Sequence, residues 1–501
     1  MEPDPLLSDP RHVALLAENA ELRAELVRLR GTMERLEKLL ETLQERLGKD
    51  SRTSSKPPSS DGPSAPPRPP SAPTGRKRGG QPGRKGSARM MLPEGSEDRV
   101  VPVPLACCPH CSTAIPPDRI TGSTMHRVVD LAQKLTEVIG YALAQGTCPH
   151  CRKQVQAPLP PEAAPGGIGP RLQAAAAYLR TEGRMSLTPL QRYFSEVMGV
   201  AVSRGWLHES GVALSRKLEP AWENLAEQIR GAEVLNLDET GFGRKDRDWI
   251  WAALSARTVL FHFSGTRGAK ALTTILPEGF SGVIGTDRYG AYNALKSAVR
   301  QFCWAHLRRE FIALSESRHP EVAVLGTRLV AEQEEVFALW HAFRNGEITR
   351  KDLRAFTAIN LARLKRGLLQ ASAMDHKAAR NLGKDLLKNW DRLWVFLKVE
   401  GVEPTNIRAA NRAESAQPIA GAKPRGPSAR ANNRAERALR PLVILKRIFQ
   451  RLPSPDGKRF FERLLSLGAT ARMRGVAYFD WLLKAVRAAR LNQPLPALEP
   501  A

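Results

Sequence analysis

The sequence predicts a multidomain α+β protein, and three observations carry that expectation. Leucines recur at sevens near the start, two identical Cys-x-x-Cys knuckles follow, and four strand-like runs are bracketed by long helical stretches. At 501 residues the chain exceeds what one hydrophobic core organises. In order, the expected parts are a coiled coil over 10–48, a basic linker over 49–95 and a four-cysteine zinc-binding domain, or zinc ribbon, over 96–160. A helical, DNA-binding type of segment follows over 165–230, then a strand-rich core over 231–306 and an all-helical insertion over 307–405. An extra loop over 406–432 precedes the last part of the core over 433–490.

The balance of 76 Lys and Arg against 51 Asp and Glu gives a formal charge of +25. Such a charge suits a polyanion, with DNA or RNA the first expectation; a ribosome-associated or merely soluble basic protein is the bland alternative. No stretch approaches the roughly 20 apolar residues that span a bilayer. The opening Met1-Glu2-Pro3-Asp4 is acidic and lacks the basic-then-apolar pattern of a signal peptide. Four of the six cysteines form Cys-x-x-Cys pairs, which in a reducing compartment points to metal rather than to disulfides. The expected location is therefore the cytoplasm, on the nucleoid.

Leu15, Leu22, Leu29, Leu36 and Leu43 keep one seam position; Asn19, Leu26, Met33, Leu40 and Leu47 keep its companion. This is a leucine-zipper pattern, in which a single Asn fixes register in a two-stranded pair. A lone amphipathic helix packed on its own protein is the alternative, and Gly31 weakens either one. The following Ser/Pro/Gly-rich stretch cannot bury enough apolar surface to fold. Arg76, Lys77, Arg78, Arg84 and Lys85 within it are candidates to lie along DNA phosphates, or simply to solvate the linker.

Cys108-Pro109-His110-Cys111 and Cys148-Pro149-His150-Cys151 are identical knuckles. Each Cys-x-x-Cys turn sets two thiolates on one edge of a tetrahedron, so Cys108, Cys111, Cys148 and Cys151 are expected to hold one structural zinc. Redox chemistry competes, but no thioredoxin-like strand–helix–strand pattern surrounds them. The residues between, from His126 to Cys148, read as strands that would bring the knuckles together. Cys107 is out of register and is left out.

From 170 to 230 the pattern is helical. Leu190, Phe194, Val197 and Met198 share a face, Gly199 reads as a helix stop, and Ser203 reads as an N-cap for a helix through Trp206 and Leu207. A helix-turn-helix and an ordinary helical hairpin both fit. At Val234 strands begin: "VLNLDETGF", "WIWAAL" and "TVLFHF" predict an antiparallel meander, and an apolar fourth run ends in Asp287. Asp238 and Asp287 both sit where a buried strand meets solvent. Neighbouring strands ending in Asp can hold hard, oxygen-seeking Mg²⁺, or can merely start turns. Glu239, the next residue along the strand, faces the other way and is not counted as a ligand.

"LNLDETGF", "WIWAAL", "GTDRYGAYN", "FCWAHLRREF" and "NNRAERALRP" occur in an order that resembles the insertion sequence 66 family of bacterial transposases. The zipper, the "SSKPPSSDGP…GGQPG" linker, the double Cys-x-x-Cys and the helical segment resemble that family too. The resemblance implies a ribonuclease H-like catalytic core with a DDE triad, interrupted by a helical insertion. On the matching positions the acids are Asp238, Asp287 and Glu436, holding two Mg²⁺ ions, with Mn²⁺ as a substitute. It implies binding of the element's terminal inverted repeats, strand cleavage and strand transfer into target DNA, by a homodimer or larger assembly that small accessory proteins assist.

The residues around those positions agree with it. Leu325, Leu329, Phe337 and Leu339 lie at helical spacing within the insertion. Glu436 sits in a good helix former behind an Asn N-cap, and Arg434, Arg437 and Arg440 surround it with phosphate-binding charge. Cys303 and His306 match a Cys-x-x-His element of the family; a structural or DNA-positioning part and a plain buried Cys with a surface His both fit. One departure stands out. The 26 residues 407–432 separate Asn406 from Asn433 and contain a near copy of the last motif, Asn411-Arg412-Ala413-Glu414. Glu414 is followed by helix-breaking "SAQPIAGAKPRGP", so Glu436 is preferred. The extra segment either loops out harmlessly or leaves a catalytically inactive, DNA-binding relic or regulator. A nuclease of the same fold without strand joining leaves the end-binding modules unexplained.

Overall fold

The computed structural model describes residues 98–122, 124–126, 131–132, 134–160, 163, 167–242, 248–405 and 454–499, with isolated positions in 18–36 and 442–449. Two compact units emerge: Pro66–Ala142 with Arg192–Val202, and Met1–Ala65, Leu143–Gln191 and Ser203–Ala501. Among the described residues no helix is long and apolar enough to cross a membrane. The described positions between 18 and 36 are helical, and Leu22, Leu26, Leu29, Met33 and Leu36 on them are exposed. The other seam residues of the expected zipper lie outside the described residues.

The larger unit is built on a mixed sheet of β3 (Val234–Phe242), β4 (Asp248–Leu254), β5 (Val259–Ser264), β6 (Val283–Thr286) and β7 (Val299–Phe302), in the order β5-β4-β3-β6-β7. The meander β3–β5 is antiparallel as expected, with Asp238 opposite Ala252 and Ala252 opposite Phe261. The chain then crosses over through α5 (Ala269–Ile275), so that β6 pairs with β3 in parallel, and β7 pairs in parallel with β6. Strand β7, absent from the sequence expectation, is only four residues long and has no turn signal beside it. Five strands in this order and polarity are consistent with a ribonuclease H-like core.

Helices α1 (Pro170–Thr181), α3 (Arg204–Lys217), α4 (Glu219–Arg230), α11 (Pro455–Arg474) and α12 (Tyr478–Arg490) share one apolar core with the sheet, through Trp222, Leu225, Phe460, Leu464 and Trp481. Ser203 caps α3 as expected, accepting the Trp206 N–H at 3.0 Å. Helix α2 (Leu187–Glu196) is shorter than its apolar pattern. Leu190 and Phe194 are buried, but Val197 lies past the helix end and is exposed, with Gly199 left-handed at φ +69° closing the turn.

Helix α11 does a second job. Strand β5 is an edge, and its outward backbone groups meet polar side chains one helical turn apart on α11. Thr470 Oγ1 accepts the Val259 N–H at 3.0 Å and donates back to the Val259 carbonyl at 3.1 Å. Ser466 Oγ accepts the Phe261 N–H at 2.9 Å, and Glu462 Oε1 accepts the Phe263 N–H at 3.3 Å. The same carboxylate oxygen meets His262 Nδ1 at 2.6 Å. Polar groups repeating every four residues on a helix thus take the outward N–H groups of Val259, Phe261 and Phe263, as a sixth strand would.

The insertion packs around a second apolar core, which it shares with Val283 of β6 and Phe302 of β7. It runs through α6 (Trp304–Ser315), α7 (Pro320–Arg344), α8 (Arg350–Ala373), α9 (Lys377–Lys388) and α10 (Val395–Lys398). Leu325 and Leu329 are fully buried and Phe337 and Leu339 partly so, as their spacing predicts. Trp304 and Trp394 meet at 5.0 Å between centroids, and Trp340 meets Phe396 at 5.2 Å. The Trp304 N–H donates to the Pro404 carbonyl at 2.9 Å, which brings the two ends of the insertion together at a neck.

Candidate active site

Burial alternates along β3: Leu235 and Leu237 point into the core, while Asn236 and Asp238 take the opposite face. Asp238 Oδ1 accepts its neighbour's N–H, from Glu239, at 3.0 Å. On the parallel neighbour, Asp287 directly follows β6 and its Oδ1 accepts the Tyr289 N–H at 2.8 Å, which starts a turn. Asp238 sits midway along β3, paired with Ala252, and not at the strand end that the sequence suggests; Asp287 lies close enough to raise its cost of ionising. Burial pushes the Asp238 carboxyl up to about 7, the charges of Glu239 and Asp287 add to the push, and His306 opposes it.

Glu239, set aside as a ligand, faces away from Asp238 but is not idle. Its carboxylate is buried, accepts two bonds from Arg267 at 3.0 and 2.8 Å, and takes the Tyr292 hydroxyl. Burial, then Asp287, raises its pKa. Arg267 in turn lies 4.0 Å over the Tyr289 ring and 4.9 Å over Trp249, which braces the turn behind Asp287.

The strongest support for that turn is Arg300 of β7, a residue the sequence does not single out. Its guanidinium is buried and donates to Thr286 Oγ1 at 2.7 Å, Asn293 Oδ1 at 2.8 Å, and the carbonyls of Asp287 at 2.6 Å and Tyr289 at 3.0 Å. Every nitrogen of the fork is used on the segment that carries Asp287. Nothing in "VRQF" announces this, because the contact depends on the β6–β7 pairing.

Cys303 N-caps α6 and is buried, and His306 lies in the first turn of that helix. Burial works against an imidazolium at His306, yet Cys303 and then Asp238 raise it to about 9. Its Nδ1 is buried without a hydrogen-bond partner among the described residues. The Cys-x-x-His element thus brings a cation up to Asp238.

Two or more crowded carboxylates in a part-buried site are the donor set that a hard divalent cation takes. Among the described residues no group of three or more His, Cys, Asp or Glu is placed to hold a metal. The expected third acid, Glu436, and its rival Glu414 lie outside the described residues, as do Arg76, Lys77, Arg78, Arg84, Lys85, Arg434, Arg437 and Arg440.

The two cysteine knuckles have the same backbone turn. Cys108 N–H bonds the Thr113 carbonyl at 2.8 Å and Cys148 N–H bonds the Lys153 carbonyl at 2.9 Å; Ser112 and Arg152 each close the turn at 2.8 Å. Ser112 and Arg152 are both left-handed, at φ 58° and 56°. A bridge between Cys107 and Ala114 flanks the first, and β1 (Gln145–Thr147) with β2 (Gln154–Gln156) flanks the second. Bonds from Thr113 lower the Cys111 thiol, and backbone N–H groups of Cys151 and His150 lower that of Cys148. Of the strands expected between the knuckles, the described residues form only β1.

The family described as "Transposase IS66 family" matches residues 166–416, and a family of unknown function, DUF6444, matches residues 2–90. The first match contains Asp238, Asp287, Cys303, His306 and Glu414 and stops before Glu436. The chain is 28% identical over 330 residues to the uncharacterized protein y4qI of Sinorhizobium fredii (strain NBRC 101917 / NGR234), covering 60% of this chain and 56% of that one. It is 23% identical over 407 residues to the uncharacterized protein y4jD of the same organism, covering 75% and 73%. The chain therefore spans little more than half the length of the first of these relatives. With its sheet, its insertion and half of its residues inside the matched region, the chain belongs to the IS66 family of transposases.

Proposed function

We propose that the chain binds the terminal inverted repeats of its own element and catalyses Mg²⁺-dependent cleavage and transfer of DNA strands. The observation that carries this reading is that Asp287, just past the end of β6, lies near enough to Asp238, midway along the parallel neighbour β3, to raise its carboxyl, with His306 beside Asp238. Asp238, Asp287 and Glu436 would hold two Mg²⁺ ions. Bound there, Mg²⁺ supplies Lewis-acid stabilisation of charge on the phosphoryl oxygens and activation of the attacking oxygen. The chain's own residues fix the acids: Arg300 and the Arg267–Glu239–Tyr292 group hold the Asp287 turn, and His306 offsets the charge of Asp238. Water as the first nucleophile and the freed 3′-hydroxyl as the second need the same in-line geometry, so one site serves both steps.

Other parts take the roles the sequence assigned them. The exposed apolar seam of Leu22, Leu26, Leu29, Met33 and Leu36 supports pairing of two chains. The matching backbone turns of the two knuckles support structural zinc on Cys108, Cys111, Cys148 and Cys151. The basic linker and Arg434, Arg437 and Arg440 would lie along phosphates.

A second reading, an inactive DNA-binding derivative, is favoured by the 26-residue segment before Glu436 and by the family match ending at 416. Cleavage and joining of labelled element-end DNA in Mg²⁺ separates the two. Loss of activity in Glu436→Ala with retention in Glu414→Ala is expected. The reverse pattern would move the third acid to Glu414, and an inactive wild type that still binds the ends would establish the second reading.

A further inference from the structure

A cavity of about 250 Å³ opens beside the Asp287 turn, lined by Arg288, Asn293, Arg300, Asp385, Lys388 and Arg392 among others. The core contributes the first three and the helical insertion the last three. Four cations face one carboxylate. That carboxylate, Asp385, is already taken by Arg288, which also donates to Glu310 at 2.6 Å. Among the described residues Arg300, Lys388 and Arg392 form no ion pair with any carboxylate.

Two of these cations are held uncomfortably close. Arg300 and Arg392 both donate to the single oxygen Asn293 Oδ1, at 2.8 and 3.2 Å, and both lie over the Phe302 ring, at 5.0 and 5.8 Å. Like charges converging on one neutral acceptor in a part-buried cavity repel strongly. A bound anion removes that cost. The Arg392 guanidinium with the Lys388 ammonium near it matches a phosphate, which accepts in several directions at once, and Arg300, held on the Asp287 turn, adds its charge.

We propose that this cavity seats a backbone phosphate of the DNA strand, next to the one addressed by Asp238 and Asp287. The inference rests on the proposed function for the identity of the polyanion. Arg300 ties the two places together, because its Nη2 bonds the Asp287 carbonyl while its guanidinium lines the cavity. The insertion then acts as one jaw of a clamp on the strand, and the Asp287 turn as the other.

The test uses the full chain and an element-end duplex. The slope of log K against log salt is measured for the wild type and for the double variant Lys388→Gln/Arg392→Gln. Removing one phosphate–cation pair lowers the slope by about 0.9, so a fall of about 1 to 2 is expected. In parallel, acetylation of the Lys388 amine is followed in free protein, with duplex, and with inorganic phosphate at the same phosphate concentration. Protection by duplex but not by inorganic phosphate supports the proposal. Protection by inorganic phosphate alone would make this a free-anion site and overturn it. Duplex binding with an unchanged slope and an unprotected Lys388 would overturn the cavity while leaving the transposase reading intact. Failure of the wild type to bind duplex at all would overturn both.

Discussion

Asp238 carries an energetic cost that sets two opposite effects of one substitution. An unfolded Asp ionises near pH 4, whereas burial holds the folded carboxyl near 7. Between those values the folded chain keeps a proton that the unfolded chain has released, so metal-free stability falls as pH rises from about 4 to about 7 and then levels. Asp238→Asn removes the charge, and the variant is predicted to melt above the wild type at pH 8 in EDTA, by on the order of a few kcal/mol, while losing cleavage. At pH 4 the two should melt together; a gap that does not widen with pH would show that the carboxyl is not strained. The two aspartates were legible in the sequence because each ends an apolar run. Arg300 and the buried Glu239 were not, since their roles depend on partners 13 and 28 residues away, brought close by strand pairing and by the crossover.

At the scale of elements, the meander and the helical insertion were readable because their apolar periods, two and 3.6 residues, persist for many residues. The strand β7, the end of α2 and the fate of the residues between the knuckles were not readable, because four-residue runs hold no period. The polar ladder of α11 was hidden differently: Glu462, Ser466 and Thr470 look like scattered polar residues in an apolar helix. Their meaning lies in the strand they face. Ser466→Ala leaves the Phe261 N–H buried without an acceptor, and Thr470→Val does the same to the Val259 N–H. Each substitution is predicted to cost about 1–3 kcal/mol, read from urea denaturation midpoints. A change near zero for both would mean that water covers the edge equally well.

For the whole molecule, the neck between Trp304 and Pro404 brings the two ends of the insertion together. The added residues 407–432 begin just beyond that neck, where the chain is already fixed. Because loop-closure entropy changes slowly with length, deleting 407–432 is predicted to leave the melting temperature unchanged and cleavage at least as fast as in the wild type. Cleavage abolished by the deletion would mean that the segment supplies a working residue, with Glu414 first in line.

The pairing of α11 with β5 also has a consequence in time. Strand β5 is complete once Ser264 has been made, but its cover ends at Arg474, roughly 200 residues later. At a synthesis rate of about 5–20 residues per second, the bare edge waits for roughly 10–40 seconds. During that interval the half-made chain is a sticky template, and any copy that terminates before Pro455 stays one.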